Sequence, residues 1–383
     1  MLLAMILLGR ILGPEQQGRL SQIKSLIEFG AALSMLGMPQ ALYLFVQRGA
    51  LPLDVAGRVA KGLAWVGLPV GLLVGWWTWP GAGDWPIWGL AGIAVAAATW
   101  HGLWRGLCLI APSTTLFNLL TALPQWSLLI LAGVAIALGG GSPLFWWVGL
   151  VAVWGLTCAA VLVVSQGLVP PDESGPVPWL ASSRELVAHG LSIWLTTSMA
   201  TAAIVVMQVA VIGAVGVSGW GLFSLALLLA QIPLTPLNHV VPILLRHRAS
   251  TAGSSSLRGL VPWVSLPMIM LGGVVAVLGM AGWSSVGLGS GYDGIHRLAT
   301  WTLVAGAAEA AMRLAAVDAQ VVGRAPRMAV AEGVRLALLV AGAGWGGWLG
   351  APDALEGLAR WWALASITAV IPLWAGWGAH GSR

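Results

Sequence analysis

Charged residues are scarce in this chain. Only 18 basic and 13 acidic side chains occur among 383 residues, or 8% of the sequence, whereas a soluble domain typically carries about 25% charged residues. So few charges cannot cover a surface that faces water. Hydrophobic residues make up 58% of the chain. The composition therefore excludes a soluble enzyme, a secreted disulfide scaffold, a coiled coil and a disordered protein, and it indicates a polytopic membrane protein.

The sequence also lacks the usual signatures of catalysis, metal binding and nucleic-acid binding. It has two cysteines, Cys108 and Cys158, which lie far apart in apolar runs without a Cys/His spacing pattern. It contains no GxSxG, HExxH or P-loop motif, and its six histidines are scattered. No Lys/Arg cluster with interleaved aromatic residues is present. We therefore expect a protein that is not an enzyme, without a cofactor, a metal site or a nucleic-acid partner.

The chain is built from long apolar runs. A membrane-spanning helix needs about 20 apolar residues. The runs cover residues 1–12, 20–46, 60–79, 86–109, 116–138, 144–166, 185–215, 219–245, 258–282, 298–321, 328–349 and 358–378. This pattern predicts an all-α membrane protein with about 12 transmembrane helices. In the first run only nine residues precede Arg10, less than half of a bilayer crossing, so we expect a first helix that is incomplete in this sequence.

A polar segment rich in proline divides the runs into two groups of six. It carries Pro170, Pro171, Pro176 and Pro178 close to Asp172, and such a segment cannot form a membrane helix. We therefore predict a six-helix N-terminal lobe over residues 1–166, a linker over 167–184 and a six-helix C-terminal lobe over 185–383.

Basic residues are distributed unevenly between alternate connections, which predicts the topology. The connections after runs 2, 4, 6, 8 and 10 hold ten of them: Arg48, Arg58, Lys61, Arg105, Arg184, Arg246, Arg248, Arg258, Arg324 and Arg327. The connections after runs 3, 5 and 7 hold none, and those after runs 9 and 11 hold Arg297 and Arg360. Only the first connection departs from this pattern, with Arg10, Arg19 and Lys24. We predict that both termini and the linker are cytoplasmic.

Some ionisable residues fall within the apolar runs, where a charge costs roughly 2.5–3.5 kcal/mol. Lys24 and Glu28 are four residues apart, on one helix face. Glu309 and Arg313 repeat that spacing in the second half. The functional interpretation is a hydrated cavity that binds a charged substrate, with Arg19, Arg105 and Asp318 as further members. The alternative interpretation is structural. The two members of each pair then neutralise each other between packed helices, and Arg105 marks the end of a helix at the membrane interface.

The segment from Leu8 to Gly49 carries two motifs of a known family. Arg10 to Gly18 reads RILGPEQQG, and Gly37 to Leu42 reads GMPQAL. With the stretch GAVGVSGWGLFSLA from Gly213 to Ala226, they resemble the polysaccharide (O-antigen and teichoic acid type) flippase branch of the MOP exporter superfamily. The resemblance extends over nearly the whole chain.

This resemblance implies a fold and a substrate. The fold is a V-shaped bundle of the MOP/MATE type, and the function is the movement of an undecaprenyl-diphosphate-linked oligosaccharide across the bacterial cytoplasmic (inner) membrane. The basic residues would attract the diphosphate, and the acidic ones would limit the charge of the empty cavity and accept a coupling cation, H+ or Na+. The substrate-binding residues we expect are Arg19, Lys24, Glu28, Arg105, Glu309, Arg313 and Asp318. Membrane lipids and membrane proteins of polysaccharide assembly are the expected partners.

Three alternatives stay open at this point. The first is a cation-coupled exporter of small molecules or drugs in the same superfamily, which would need a compact pocket lined by acidic residues. The second is a membrane-embedded polymerase or ligase of polysaccharide assembly, which would need a larger outer loop than residues 80–86 or 283–297 provide. The third is a structural membrane scaffold, whose buried charges would all be mutually paired.

Overall fold

A computed structural model of the chain describes residues 2–79, 81, 85–110, 115–138, 142–168, 180–251, 257–280, 282, 290–321, 325–344 and 353–377. Within these ranges the side chains of some residues, including 2–11 and Asp318, lie outside the description. The predicted linker over 167–184 falls largely on residues that are not described.

Regular structure in the described residues consists entirely of helices. The α-helices are α1 (Leu2–Met35), α2 (Met38–Gln47), α3 (Leu53–Ala64), α4 (Gly67–Thr78), α5 (Trp85–Leu107), α6 (Thr115–Ala137), α7 (Pro143–Leu168), α8 (Leu180–Thr251), α9 (Val261–Met280), α10 (Ile295–Val321), α11 (Ala325–Gly344) and α12 (Ala354–Trp377). Short 3-10 turns cover Cys108–Ile110, Leu257–Leu260 and Ser290–Tyr292. The predicted all-α fold class is confirmed.

Length and hydropathy identify the membrane-spanning segments. Within the described ranges, seven helices are long and apolar enough to cross a membrane, or eight if the bent pair Leu12–Met35 and Met38–Gln47 counts as one span. One of the seven, Arg184–Leu237, has 54 residues, about 80 Å of helix against a hydrocarbon core of about 30 Å. It must therefore supply two spans. Helices α10 and α11 are not among these seven, and both carry ionic residues that are described below.

Contacts divide the chain into two compact units. The first comprises Met1–Gln22, Ala202–Leu245 and Gly253–Arg383, and the second comprises Ile23–Thr201 and Arg246–Ala252. These units differ from the lobes predicted at 1–166 and 185–383, because α1 and α8 each contribute to both units. The predicted lobe boundaries, which follow the order of the chain, stay a prediction.

Helices α1 and α8 change direction at equivalent glycines. Gly13 has φ 72° and ψ 169°, and Gly216 has φ 80° and ψ −178°, a combination that only glycine adopts readily. Pro14 follows Gly13, and proline at the first position of a helix suits the helix that begins there. The two sites therefore separate the predicted runs at 1–12 and 20–46, and at 185–215 and 219–245, as the sequence indicated.

A second break interrupts the predicted run at 20–46. Leu36 and Gly37 both have positive φ, 49° and 68°, which ends α1 at Met35 and lets α2 begin at Met38. Gly37 is required here for two reasons. A side chain disfavours this conformation, and a Cβ atom would lie 2.0 Å from the carbonyl oxygen of Gly190 in the same unit. The indole nitrogen of Trp194 donates a hydrogen bond of 2.9 Å to the carbonyl of Leu33, in the last turn before the break.

Small residues allow close helix packing in the second unit. Gly67, Gly71 and Gly75 recur every four residues along α4 and face α5. A Cβ atom on Gly71 would lie 2.5 Å from the carbonyl oxygen of Ala91, so the two backbones meet without side chains between them. This is the packing that membrane helices use in place of the hydrophobic effect.

Large apolar side chains point outward in both units. Trp263 in the first unit is 80% exposed and Trp126 in the second is 63% exposed, as a lipid-facing surface requires.

Candidate functional site

The predicted ionic residues lie on helices of both units. In the first unit, α10 carries Glu309 and Arg313, and these two side chains form the predicted i,i+4 ion pair. The two side chains are 26% and 27% exposed, so the pair is partly accessible although it lies within an apolar helix. Either side chain of such a pair can bind a charged ligand in place of its partner while it stays within the protein.

A second ion pair on α11 lies behind the first and was not predicted. The Nε atom of Arg335 lies 3.0 Å from an oxygen of Glu332, and the side chains are only 5% and 8% exposed. The guanidinium of Arg335 also lies 5.4 Å from the centre of the Trp362 ring on α12, within the range of a cation–π contact. This pair is the most deeply buried ionic group of the described part of the unit.

The two pairs form one electrostatic cluster. The carboxylate of Glu309 interacts with the guanidinium groups of both Arg313 and Arg335, and the carboxylate of Glu332 interacts with the same two arginines and with Glu309. Among the described side chains, the cluster holds two carboxylates and two guanidinium groups, whose charges balance. Its outer half is partly exposed and its inner half is buried.

The pairs on α1 belong to different units. In the second unit, the Nζ atom of Lys24 lies 2.6 Å from Glu28, as the spacing predicted. In the first unit, Arg19 pairs at 2.7 Å with Glu15, which the sequence analysis had not singled out. Both pairs are partly exposed, with side-chain exposures of 30% to 61%. All four side chains therefore remain accessible.

Arg105 has different surroundings. It lies in the last turn of α5, and its guanidinium sits 5.6 Å from the centre of the Phe117 ring on α6. His101, one turn earlier, makes a contact of 2.9 Å between Nε2 and the carbonyl oxygen of Leu120. Within the described ranges, Arg105 has no carboxylate at ion-pair distance. It is thus a partly buried cation that a ligand anion can neutralise.

The remaining predictions concern Asp318 and metal binding. Asp318 lies on α10, but its side chain is outside the described residues. No group of three or more His, Cys, Asp or Glu side chains that could hold a metal ion occurs in the described part of the chain. Both cysteines are free there.

The sequence signal for the inner pair was present but weaker than that for the outer pair. Glu332 and Arg335 are three residues apart, a spacing that also places two side chains on one helix face. They lie near the start of the run at 328–349, directly after the basic residues Arg324 and Arg327. Their position therefore resembles that of charges at the membrane interface. Only the packing of α11 against α10 and α12 reveals that they are buried.

Comparisons with known proteins connect the chain to a transporter fold. No family model matches the sequence, and no curated protein matches it. An outward-facing multidrug resistance MATE family transporter of the MOP superfamily matches with a TM-score of 0.63 and 13% identity, over 98% of this chain and 90% of that chain. A mutant of the Vibrio cholerae MATE transporter VcmN matches with a TM-score of 0.64 and 13% identity, over 98% and 96%.

A third solved structure, a MOP superfamily transporter from Pyrococcus furiosus, matches with a TM-score of 0.63 and 14% identity, over 98% of this chain and 90% of that chain. Similarity over nearly the whole length of each chain confirms the predicted fold class. The chain therefore has the fold of the MATE transporters of the MOP superfamily.

Proposed function

We propose that the protein is a membrane transporter that moves an undecaprenyl-diphosphate-linked oligosaccharide across the bacterial cytoplasmic membrane. The observation that carries this proposal is Arg105, a partly buried arginine without a carboxylate partner among the described residues. Guanidinium groups bind phosphate oxygens through paired hydrogen bonds. An unneutralised guanidinium at the end of a membrane helix suits a diphosphate better than a cationic drug.

The other predicted residues complete this proposal. Lys24 and Arg313 each have a partly exposed carboxylate partner, so each can leave that partner to bind an anion. Arg19 offers the same exchange with Glu15. Asp318 and the acidic partners, Glu28 and Glu309, keep the empty site close to neutral and provide ligands for a coupling H+ or Na+. The polyprenyl tail stays in the lipid phase while the two halves of the protein alternate between inward and outward access.

The charge of the site separates this proposal from its closest alternative. A cation-coupled exporter of small molecules or drugs has the same fold, and multidrug transport is the activity named for one of the neighbours. For the Pyrococcus furiosus neighbour, a binding pocket of reverse polarity has been taken to suggest a different function. In this chain, the partly buried Arg105 favours an anionic substrate.

A transport assay tests the proposal. The purified chain is reconstituted in liposomes with a fluorescent undecaprenyl-diphosphate-linked oligosaccharide, and its movement between leaflets is measured by access of an external quencher. We expect Arg105→Gln to reduce the rate at least tenfold, because a hydrogen bond to a charged group contributes about 1.5–3 kcal/mol. Arg105→Lys should retain part of the rate, since it keeps the charge and loses the paired geometry.

The matched control is Arg58→Gln, which removes one positive charge from the same unit at a side chain that is 61% exposed. It should leave the rate within about twofold of that of the native protein. Equal rates for Arg105→Gln and the native protein contradict the proposal. Transport of a cationic dye in place of the lipid-linked probe supports the small-molecule exporter instead.

A further inference from the structure

The buried pair of Glu332 and Arg335 is unexpected on energetic grounds. Removing two charges from water costs several kcal/mol per ion, and an apolar pair of similar size is often more stable. This pair is only 8% and 5% exposed. Its stabilising value alone therefore does not account for it, and its contacts with the neighbouring pair suggest another role.

Arg335 has a second acidic neighbour. Its guanidinium interacts electrostatically with Glu309 on α10 as well as with Glu332 on its own helix. The Trp362 ring lies 5.4 Å from the same guanidinium and restricts its position. Glu309 is thus shared between an accessible arginine, Arg313, and an inaccessible one, Arg335.

This sharing determines what happens when Arg313 meets an anion. An arginine held only by one carboxylate must leave that carboxylate unneutralised in a low-dielectric site when it turns to a ligand, and this opposes binding. With Arg335 beside it, Glu309 keeps a positive neighbour after Arg313 has turned away. The free-energy cost of moving Arg313 from Glu309 to an anion is therefore reduced, because one of the two cationic neighbours of Glu309 stays in place.

We propose that Arg335, fixed by Glu332 and Trp362, is a positioning residue that retains Glu309 while Arg313 exchanges its carboxylate partner for the diphosphate of the substrate. This inference rests on the proposed function, since it assigns a diphosphate as the ligand of Arg313. Arg335 itself does not touch the substrate. Its contribution acts on the affinity of Arg313 for an anion.

The test uses variants that keep the buried charge balanced. Glu332→Gln combined with Arg335→Gln removes one charge of each sign from the buried cluster. We expect this double variant to fold and to bind undecaprenyl diphosphate about tenfold more weakly than the native chain, measured on the purified protein in detergent micelles. Glu309→Gln added to the double variant should restore the affinity, because Arg313 then has no carboxylate to hold it. A merely structural role for the inner pair predicts no such rescue.

A matched control is the double variant Glu356→Gln with Arg360→Gln. It removes another intrahelical pair of the same unit, with side chains 8% and 28% exposed, and it should keep the affinity within about twofold. Native affinity in the Glu332/Arg335 double variant overturns the proposal. A loss of affinity that Glu309→Gln does not reverse overturns it as well.

A measurement without ligand distinguishes this inference from the proposed function. The effect of Glu309→Gln on the melting temperature is compared in the native chain and in the Glu332/Arg335 double variant. Coupling predicts that the two effects differ by about 2 °C or more, and additive effects overturn the exchange whatever the substrate is. If the two effects differ but the native chain does not bind undecaprenyl diphosphate, the proposed function is wrong. The assignment of a diphosphate as the ligand of Arg313 is then wrong as well.

Discussion

Gly18 and Gly221 contact each other's helices reciprocally. A Cβ atom on Gly18 would lie 2.1 Å from the carbonyl oxygen of Val217, and one on Gly221 would lie 1.8 Å from the carbonyl oxygen of Pro14. Each glycine lies five residues after a kink glycine, Gly13 in one case and Gly216 in the other. The two halves of the sequence thus place an equivalent glycine in an equivalent contact, within the first of the two units.

This contact predicts a large effect for a small substitution. We expect Gly221→Ala to lower the stability by about 1–3 kcal/mol, the range typical of an added methyl group that forces packed backbones apart. Gly18→Ala should have an effect of similar size. Because the two glycines share one contact, the double variant should lose less than the two single losses combined. Melting temperatures of the purified protein in detergent measure these effects.

The control for this prediction is Gly213→Ala, in the same helix α8. Its added Cβ atom would meet no other group within 4 Å, so the substitution should be neutral or slightly stabilising in a helix. A Gly221→Ala protein that melts at the native temperature would show that the helices separate at this point without cost.

A second prediction concerns the break between α1 and α2. Trp194→Phe removes the hydrogen bond from the indole nitrogen to the carbonyl of Leu33 and keeps most of the aromatic packing. We expect a loss of about 1 kcal/mol, because this carbonyl lies in the last turn of a helix and loses its hydrogen bond to the indole. The loss is read from the melting temperature.

Trp126→Phe is the matched control for this substitution, since Trp126 is 63% exposed on the outer surface. It should change the melting temperature by much less than Trp194→Phe does. Equal shifts in the two variants would assign the effect to the loss of ring area and not to the hydrogen bond.

The sequence predicts the helices of this chain well and its ionic contacts only in part. Hydrophobic runs determine where most helices lie, and the i,i+4 spacing is enough to predict the ion pairs of Lys24 with Glu28 and of Glu309 with Arg313, because both partners lie on one helix. The clustering of Glu332 and Arg335 with Glu309 depends on how α11 packs against α10. The spacing of residues along one helix contains no information about that packing. The hydrogen bond beside the break at Leu36 could not be predicted for a related reason, since it joins the indole of Trp194 to the carbonyl of Leu33, two residues far apart in the sequence.

Topology gives a third prediction. The distribution of basic residues predicts that both termini and the segment 167–184 are cytoplasmic. A cysteine introduced as Ser174→Cys, in a chain whose Cys108 and Cys158 have been replaced by alanine, should react with a membrane-impermeant maleimide only after the cells are opened. These are the two cysteines of the sequence, so their removal leaves a background without competing thiols. Cys108 is buried and Cys158 is partly buried. Labelling of intact cells would place the segment on the outer side and reverse the orientation.

The last prediction separates a transport role from a structural role for the outer pair. Arg313→Gln leaves Glu309 with Arg335 as its remaining cationic neighbour, and the pair is about one quarter exposed. The loss of stability should therefore stay below about 1 kcal/mol. Transport of the lipid-linked probe should nevertheless fall at least tenfold, because the accessible group that binds the diphosphate has been removed and an acidic one stays in its place.

The double variant Glu309→Gln with Arg313→Gln decides between the two roles. If the pair has only a structural role, replacing both charges by amides of similar size restores stability and transport together, because no unpartnered charge is left in the interior. If Arg313 binds the diphosphate, the double variant melts close to the native temperature and still does not transport. The two measurements have to be made on the same preparations, with reconstituted amounts matched. A double variant with full transport activity shows that neither Glu309 nor Arg313 binds the substrate.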